Sequence, residues 1–247
     1  MAPRPSHPAL TIVTDTASTP KTATSPTKIL VPTMDWQNAV VTLSGPAILI
    51  GRKTEAMQES LAGGSTHASA NMGAGKGKRG RATRNPEKEF NDARHRVDSK
   101  ILRESLSEFP SAIGDLPKKG LVDVFPTEAI IGMMCDATMY CKGIWPDWVK
   151  SNVEPLSDFI PLRSASGPEF HRAVGRNADA KRTVMLRFRA LYRDWSMVFP
   201  FRFDNNCIKL EQIIQLLALG GAKFGLGSWR KVSGRCGGRF GSFTVGS

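Results

Sequence analysis

Between Ala62 and Arg84 the chain reads AGGSTHASANMGAGKGKRGRATR, with no acidic residue and no large apolar side chain beyond Met72. A stretch of this composition cannot bury enough apolar surface to belong to a core, so the fold must be built around it as a long flexible insertion. The same argument applies to residues 1–27, rich in Pro, Ser, Thr and Ala, which are expected to be a disordered tail. Residues 28–247 are then expected to form one domain, interrupted at about 62–84. At 40% hydrophobic residues the chain has the material for a core.

The elements on either side can be read from periodicity. Ala39–Ile50 (AVVTLSGPAILI) predicts a strand broken at Gly45-Pro46, with Lys28–Val31 a short strand ahead of it. Thr54–Leu61 reads as a short helix, and Asn85–Phe90 as a turn leading into a polar helix towards Arg96. Pro126 stands where a helix would start. Ile130, Ile131, Met134, Ala137, Met139 and Cys141 then recur at helical spacing across Thr127–Lys142. Asp158–Leu162, Thr183–Ala190 and Asp194–Phe203 predict three further strands. Lys209–Leu219 (KLEQIIQLLAL) is an amphipathic helix, stopped by Gly220-Gly221, and the alternation of Phe243 and Val245 suits a closing sheet edge. Strands and helices alternate with long insertions. That pattern favours an α+β fold with a mostly antiparallel sheet over a regular doubly wound one.

Lys and Arg number 34 against 22 Asp and Glu, for a net charge of +12, and the excess is clustered. Such a surface attracts polyanions. Three segments carry it. In the insertion, Lys76, Lys78, Arg79, Arg81 and Arg84 interleave with Gly73, Gly75, Gly77 and Gly80, so backbone and cations can both approach a phosphate. No Walker pattern is present. In the C-terminal segment GGAKFGLGSWRKVSGRCGGRFGSFTV, Lys223, Arg230, Lys231, Arg235 and Arg239 alternate with glycines around Trp229. Trp229 is either a stacking platform for an unpaired base or a core residue of a glycine-rich hairpin. Arg187 and Arg189, with Arg193 beyond and Lys181 and Arg182 before, fall on one side of an alternating strand, which either faces a ligand or is simply solvated.

A catalytic site is not legible. His7, His67, His95 and His171 lack a paired metal-ligand or triad spacing, and no GxSxG elbow or paired-carboxylate motif occurs. Cys135, Cys141, Cys207 and Cys236 fit neither a zinc ribbon nor a disulfide framework, and the first two read as core thiols. The expectation is a non-enzymatic protein without cofactor or metal. No run of 18 apolar residues and no secretory pattern is present, so the expected location is the cytoplasm of a prokaryote or infected host cell, with no membrane partner.

The order of GPAILIGRK, NPEKEFNDARHRVDSK, VFPTEAIIGMMCDA, an Arg-rich strand, LEQIIQLLALGGAKFGLGSWR and GRFGSFTV, spanning Val40 to Val245, resembles the RAMP superfamily. These are the RNA-recognition-motif-like proteins that form the backbone of multisubunit CRISPR effector complexes. The chain looks most like the solitary versions carried by phages and other mobile elements. The resemblance implies a ferredoxin-like βαββαβ antiparallel sheet with helices on one face and inserted loops. It implies self-association along single-stranded guide RNA, with other subunits of a ribonucleoprotein as partners, and places Gly225, Gly227, Trp229, Arg230, Gly238, Arg239 and Gly241 in a glycine-rich loop near the RNA. The insertion from Lys76 to Arg84 would be a finger or thumb. A phage structural protein or a single-stranded-DNA-binding protein would share the same charge pattern.

Overall fold

The computed structural model describes residues 33–51, 86–176, 184–232 and 238–246. Thr33 aside, these belong to one compact unit, Met34–Ser247. In chain order the elements are β1 (Trp36–Ile50), α1 (Pro86–Ala93), β2 (Arg96–Asp98), α2 (Ser99–Ser105), α3 (Pro110–Ile113), β3 (Leu121–Pro126) and α4 (Glu128–Ala137). There follow a 3-10 turn (Thr138–Tyr140), α5 (Pro146–Asn152), β4 (Val153–Pro155), β5 (Phe159–Pro161), β6 (Arg163–Ser164), β7 (Pro168–Arg176), β8 (Val184–Asp204), α6 (Leu210–Lys223) and β9 (Thr244–Gly246).

The fold is α+β, with antiparallel pairing throughout its named strands. β1 and β8 pair from Trp36 opposite Asp204 to Ile50 opposite Ala190. The far edge of β1 carries β9, and the far edge of β8 carries β7, β6 and β4 in turn. The main core lies under α4 and α6. Ile130, Met133 and Met134 meet Ile213, Leu216 and Leu217 over Leu43, Ile48, Met197, Phe199 and Phe201, all almost completely buried. Burying a side chain of this size contributes about 1.5–3 kcal/mol. A three-stranded sheet, β2-β3-β5, packs with α2 and α3 around Val198. Alternation puts Val198 on the other side of β8 from Met197 and Phe199. Helices therefore occupy both faces of the large sheet, where the sequence reading had them on one.

Several expected boundaries move. The first strand spans its Gly45-Pro46 break, and the two strands expected at Thr183–Ala190 and Asp194–Phe203 merge into one 21-residue strand, Val184–Asp204. The two apparent breaks face each other. Gly45 pairs with Trp195 and Ala47 with Arg193, while Pro46, which has no N–H to give, and Asp194, at φ 44°, stand between them without ladder pairing. The residues buried in the main core step from Val41 and Leu43 to Ile48 and Ile50 on β1, and from Met197 and Trp195 to Tyr192 and Ala190 on β8. Both strands thus change facing together and the register survives. Pro126 closes β3 and the expected helix opens directly after it, at Glu128 with Thr127 as N-cap, whose hydroxyl donates to the Ser157 carbonyl (2.7 Å) and not to the helix. Gly220 and Gly221 do not stop α6, which runs to Lys223. Their missing side chains admit Met133 and Phe243 against the helix. The short elements between Val97 and Asp123, and α5, gave no periodic signal. Lys28–Val31 and Thr54–Leu61 lie outside the described residues, as does the insertion at 62–84.

Candidate nucleic-acid interface

The glycine-rich segment after α6 is tied to the end of β1. Phe224 N and Gly225 N both donate to Gly220 O (2.9 and 2.8 Å), closing the helix. Leu226 N donates to Gly241 O (2.8 Å), Gly241 N to Ala47 O (2.8 Å), and Ser228 N to Leu49 O (2.7 Å). The loop therefore extends the β1 edge beyond β9. Phe224, Leu226 and Phe243 are buried and anchor it. Gly227 has φ 77°, and a β-carbon there would lie 2.6 Å from Leu49 O, so only glycine lets the loop lie this close to the strand. Gly238 N donates to Arg230 O (2.9 Å) and Phe240 N to Trp229 O (3.3 Å), which folds the two arms of the loop together.

Trp229 occupies the outside of this fold-back, at φ 53° and 36% exposed, so it is not a core residue. Arg230 Nη2 lies 3.6 Å from Asp136 Oδ2 on α4, a partly exposed ion pair. Arg239 is exposed. From the β7–β8 hairpin, Arg189 pairs in register with His171, whose ring meets Phe240 edge-on at 5.4 Å. A β-carbon at Gly51 would fall 2.5 Å from Arg189 Nη1 and 2.6 Å from Ser228 Oγ, which marks where hairpin, loop and strand end converge. Beside this junction a cleft of about 430 Å³ is lined by Gly51, His95, Pro126, Gly132, Asp136, Ser228 and Arg230.

The predicted residues thus separate into groups. Gly225, Gly227, Trp229, Arg230 and Arg189 come together around the end of β1, and Arg239 is exposed on the returning arm of the loop. Lys223 and Lys231 do not join them. The Lys223 ammonium sits 6.0 Å from the Tyr140 ring centre, and Lys231 Nζ donates to Ala222 O (2.6 Å) at the end of α6. Arg193 is bound by Glu169 at 2.9 Å, so the arginine row loses its third member to an ion pair. Arg187 is placed opposite Ala173 in the β7–β8 ladder. Lys76, Lys78, Arg79, Arg81, Arg84 and Arg235 lie outside the described residues. Sequence reasoning missed Gly51, Ser228 and Asp136, since nothing local links residues so far apart along the chain.

Among the described residues no cluster of His, Cys, Asp and Glu has the arrangement to hold a metal ion, and no helix is long and apolar enough to cross a membrane. No family model and no curated protein matches the chain.

Proposed function

We propose that the chain binds single-stranded nucleic acid without cleaving it, RNA in preference to DNA, as a self-associating subunit of a CRISPR-type ribonucleoprotein or a phage-borne homologue that interferes with one. The observation that carries this reading is the convergence of Arg189, Ser228, Trp229 and Arg230 at the end of β1, with Arg239 exposed on the returning arm of a loop whose glycines let it pack closely on the strand. Guanidinium groups offer forked contacts to phosphate, and an exposed indole offers a stacking face to an unpaired base. The antiparallel sheet, with α4 and α6 packed on one face, is compatible with this reading at the level of an α+β class, and α2 and α3 on the other face depart from the one-sided arrangement that the resemblance implies.

The test is fluorescence anisotropy with a short unstructured RNA, the same sequence as DNA, and a duplex, each across a salt series. The single strands should bind more tightly than the duplex, and affinity should fall steeply with salt. Arg230→Ala and Arg239→Ala should each weaken RNA binding by about fivefold, near 1 kcal/mol. Equal affinity for duplex, or binding indifferent to both substitutions, would overturn the proposal.

A further inference from the structure

Sharing Asp136 with the cleft, the structure has a second and larger concavity. It holds about 790 Å³ between the end of α4, the loop into α5 and the chain after α6. Its wall is apolar: Met139, Cys141, Ile144, Trp145, Phe224 and Val232. Met139 is 73% exposed, Trp145 70% and Val232 53%. Exposed apolar groups gathered in a concave surface with a polar rim mark a protein-docking site more than a solvated face.

The groove is also preformed. Tyr140 packs edge-on against Phe224 at 5.8 Å, and Pro146 O accepts from the Cys135 thiol at 3.5 Å. Trp145 O accepts from Trp148 N (3.0 Å) and Val149 N (3.2 Å), which fixes the lip of the groove to the first turn of α5. Little ordering would remain to be done on binding.

The rim gives the groove a sign. Lys142 is part of the wall, and Lys223 and Lys231, both exposed, directly adjoin the lining residues Phe224 and Val232 in the chain, with the Lys231 ammonium also donating to Ala222 O (2.6 Å). Asp136, the one acid in the wall, is paired with Arg230 at 3.6 Å, and Asp147 outside it lies 3.8 Å from Lys150. An occupant must therefore match an apolar floor and a cationic border. We infer that this groove docks a short amphipathic helix of a protein partner, with its apolar side chains against Trp145, Met139 and Val232 and its flanking carboxylates on the three lysines. Helices laid into apolar grooves use this division between anchors and flanks. The aliphatic share of the floor and the compact lysine ammoniums favour such a segment over a nucleic-acid strand, whose bases would want aromatic faces and whose phosphates would want forked arginines.

The experiment titrates the full chain into a fluorescein-labelled synthetic helix bearing Leu and Phe at i, i+3, i+4 and i+7 with Glu on its flanks. A second peptide carries Lys in place of Glu, and a third carries Ser in place of Leu and Phe. The acidic amphipathic peptide should bind saturably and both controls should not. Trp145→Ala and Lys142→Glu should each weaken its binding by about fivefold or more, with oligonucleotide affinity unchanged for Trp145→Ala. Both positions are on the surface, and circular dichroism checks that each variant is folded. Absence of saturable binding, or binding that survives both substitutions, would sink the inference. So would a loss of oligonucleotide affinity in Trp145→Ala, because the groove would then belong to the nucleic-acid path.

Discussion

Gly238 packs against Trp229 so tightly that a β-carbon on it would overlap the Trp229 carbonyl oxygen. The obstacle is backbone, which cannot rotate away as a side chain could. Gly238→Ala should therefore pry apart the two arms of the loop and displace Trp229, Arg230 and Arg239 together. The sheet core lies elsewhere, so the loss of stability should stay within about 1–3 kcal/mol. RNA affinity should fall about tenfold or more, beyond the effect of removing either arginine alone. Anisotropy and thermal melting on the same sample separate the two effects.

A second prediction concerns an ion pair at the edge of the small sheet. Arg94 donates to Asp123 through Nε (2.8 Å) and Nη2 (2.7 Å), a forked pair with each side chain less than a fifth exposed. The hydrogen bond to Asp123 raises the Arg94 guanidinium further above its ordinary range. Asp123→Ala would leave that cation partly buried and unpaired, and should cost about 2–4 kcal/mol in urea unfolding. Replacing both partners by apolar residues of similar volume should recover most of it.

The buried Tyr192 beside this pair gives a prediction at high pH. Burial first, and the Asp123 charge second, push its phenol well above the usual tyrosine range. The folded state thus holds this proton more tightly than the unfolded chain. Its contribution to stability is complete below about pH 10 and is lost as the pH rises beyond that. Tyr192→Phe should flatten the alkaline fall in melting temperature, and an equal fall in the variant would refute the assignment.

How much of this was legible beforehand follows from what each signal measures. The apolar spacing of Ile130, Met134, Ile213 and Leu217 reports burial against a face, and it located the two core helices. The same logic read Gly220-Gly221 as a stop, because a sequence does not show that Met133 and Phe243 need the space. Pro46 and Asp194 each look like a strand end on their own. Only the pairing of β1 with β8 makes them one shared kink. In the candidate site, charge and glycine content pointed to Trp229, Arg230 and Arg239. They also pointed to Lys223 and Lys231, which the helix end turns to a different surface.

Acid should act at the other end of the long strands. The Asp204 carboxylate accepts from Asp35 N and Asn206 N, each at 3.0 Å, and these backbone donors hold its pKa below the ordinary carboxylate range. A depressed folded value means stability that is present above about pH 4 and lost as the pH falls through the folded pKa. Melting temperature should drop in that window for the natural chain and less steeply for Asp204→Asn. Identical acid limbs would remove Asp204 from the account.

The sharpest prediction separates Arg230 from the acid that holds it. At 3.6 Å and with both groups partly exposed, the Arg230–Asp136 pair is worth about 0–1 kcal/mol to the fold. Asp136→Asn should therefore leave stability nearly unchanged while freeing the guanidinium and removing a negative charge from the cleft. RNA affinity should rise about two- to fivefold. Arg230→Ala should instead lower affinity and reduce the salt slope by about 0.7, the share of one neutralised phosphate on a single strand. The double variant decides the mechanism. If Asp136 acts by restraining Arg230, adding Asp136→Asn to Arg230→Ala should bring little further gain, and the cycle shows coupling. If the gain persists in full without the arginine, Asp136 repels the strand by its own charge and the ion pair is no restraint on binding.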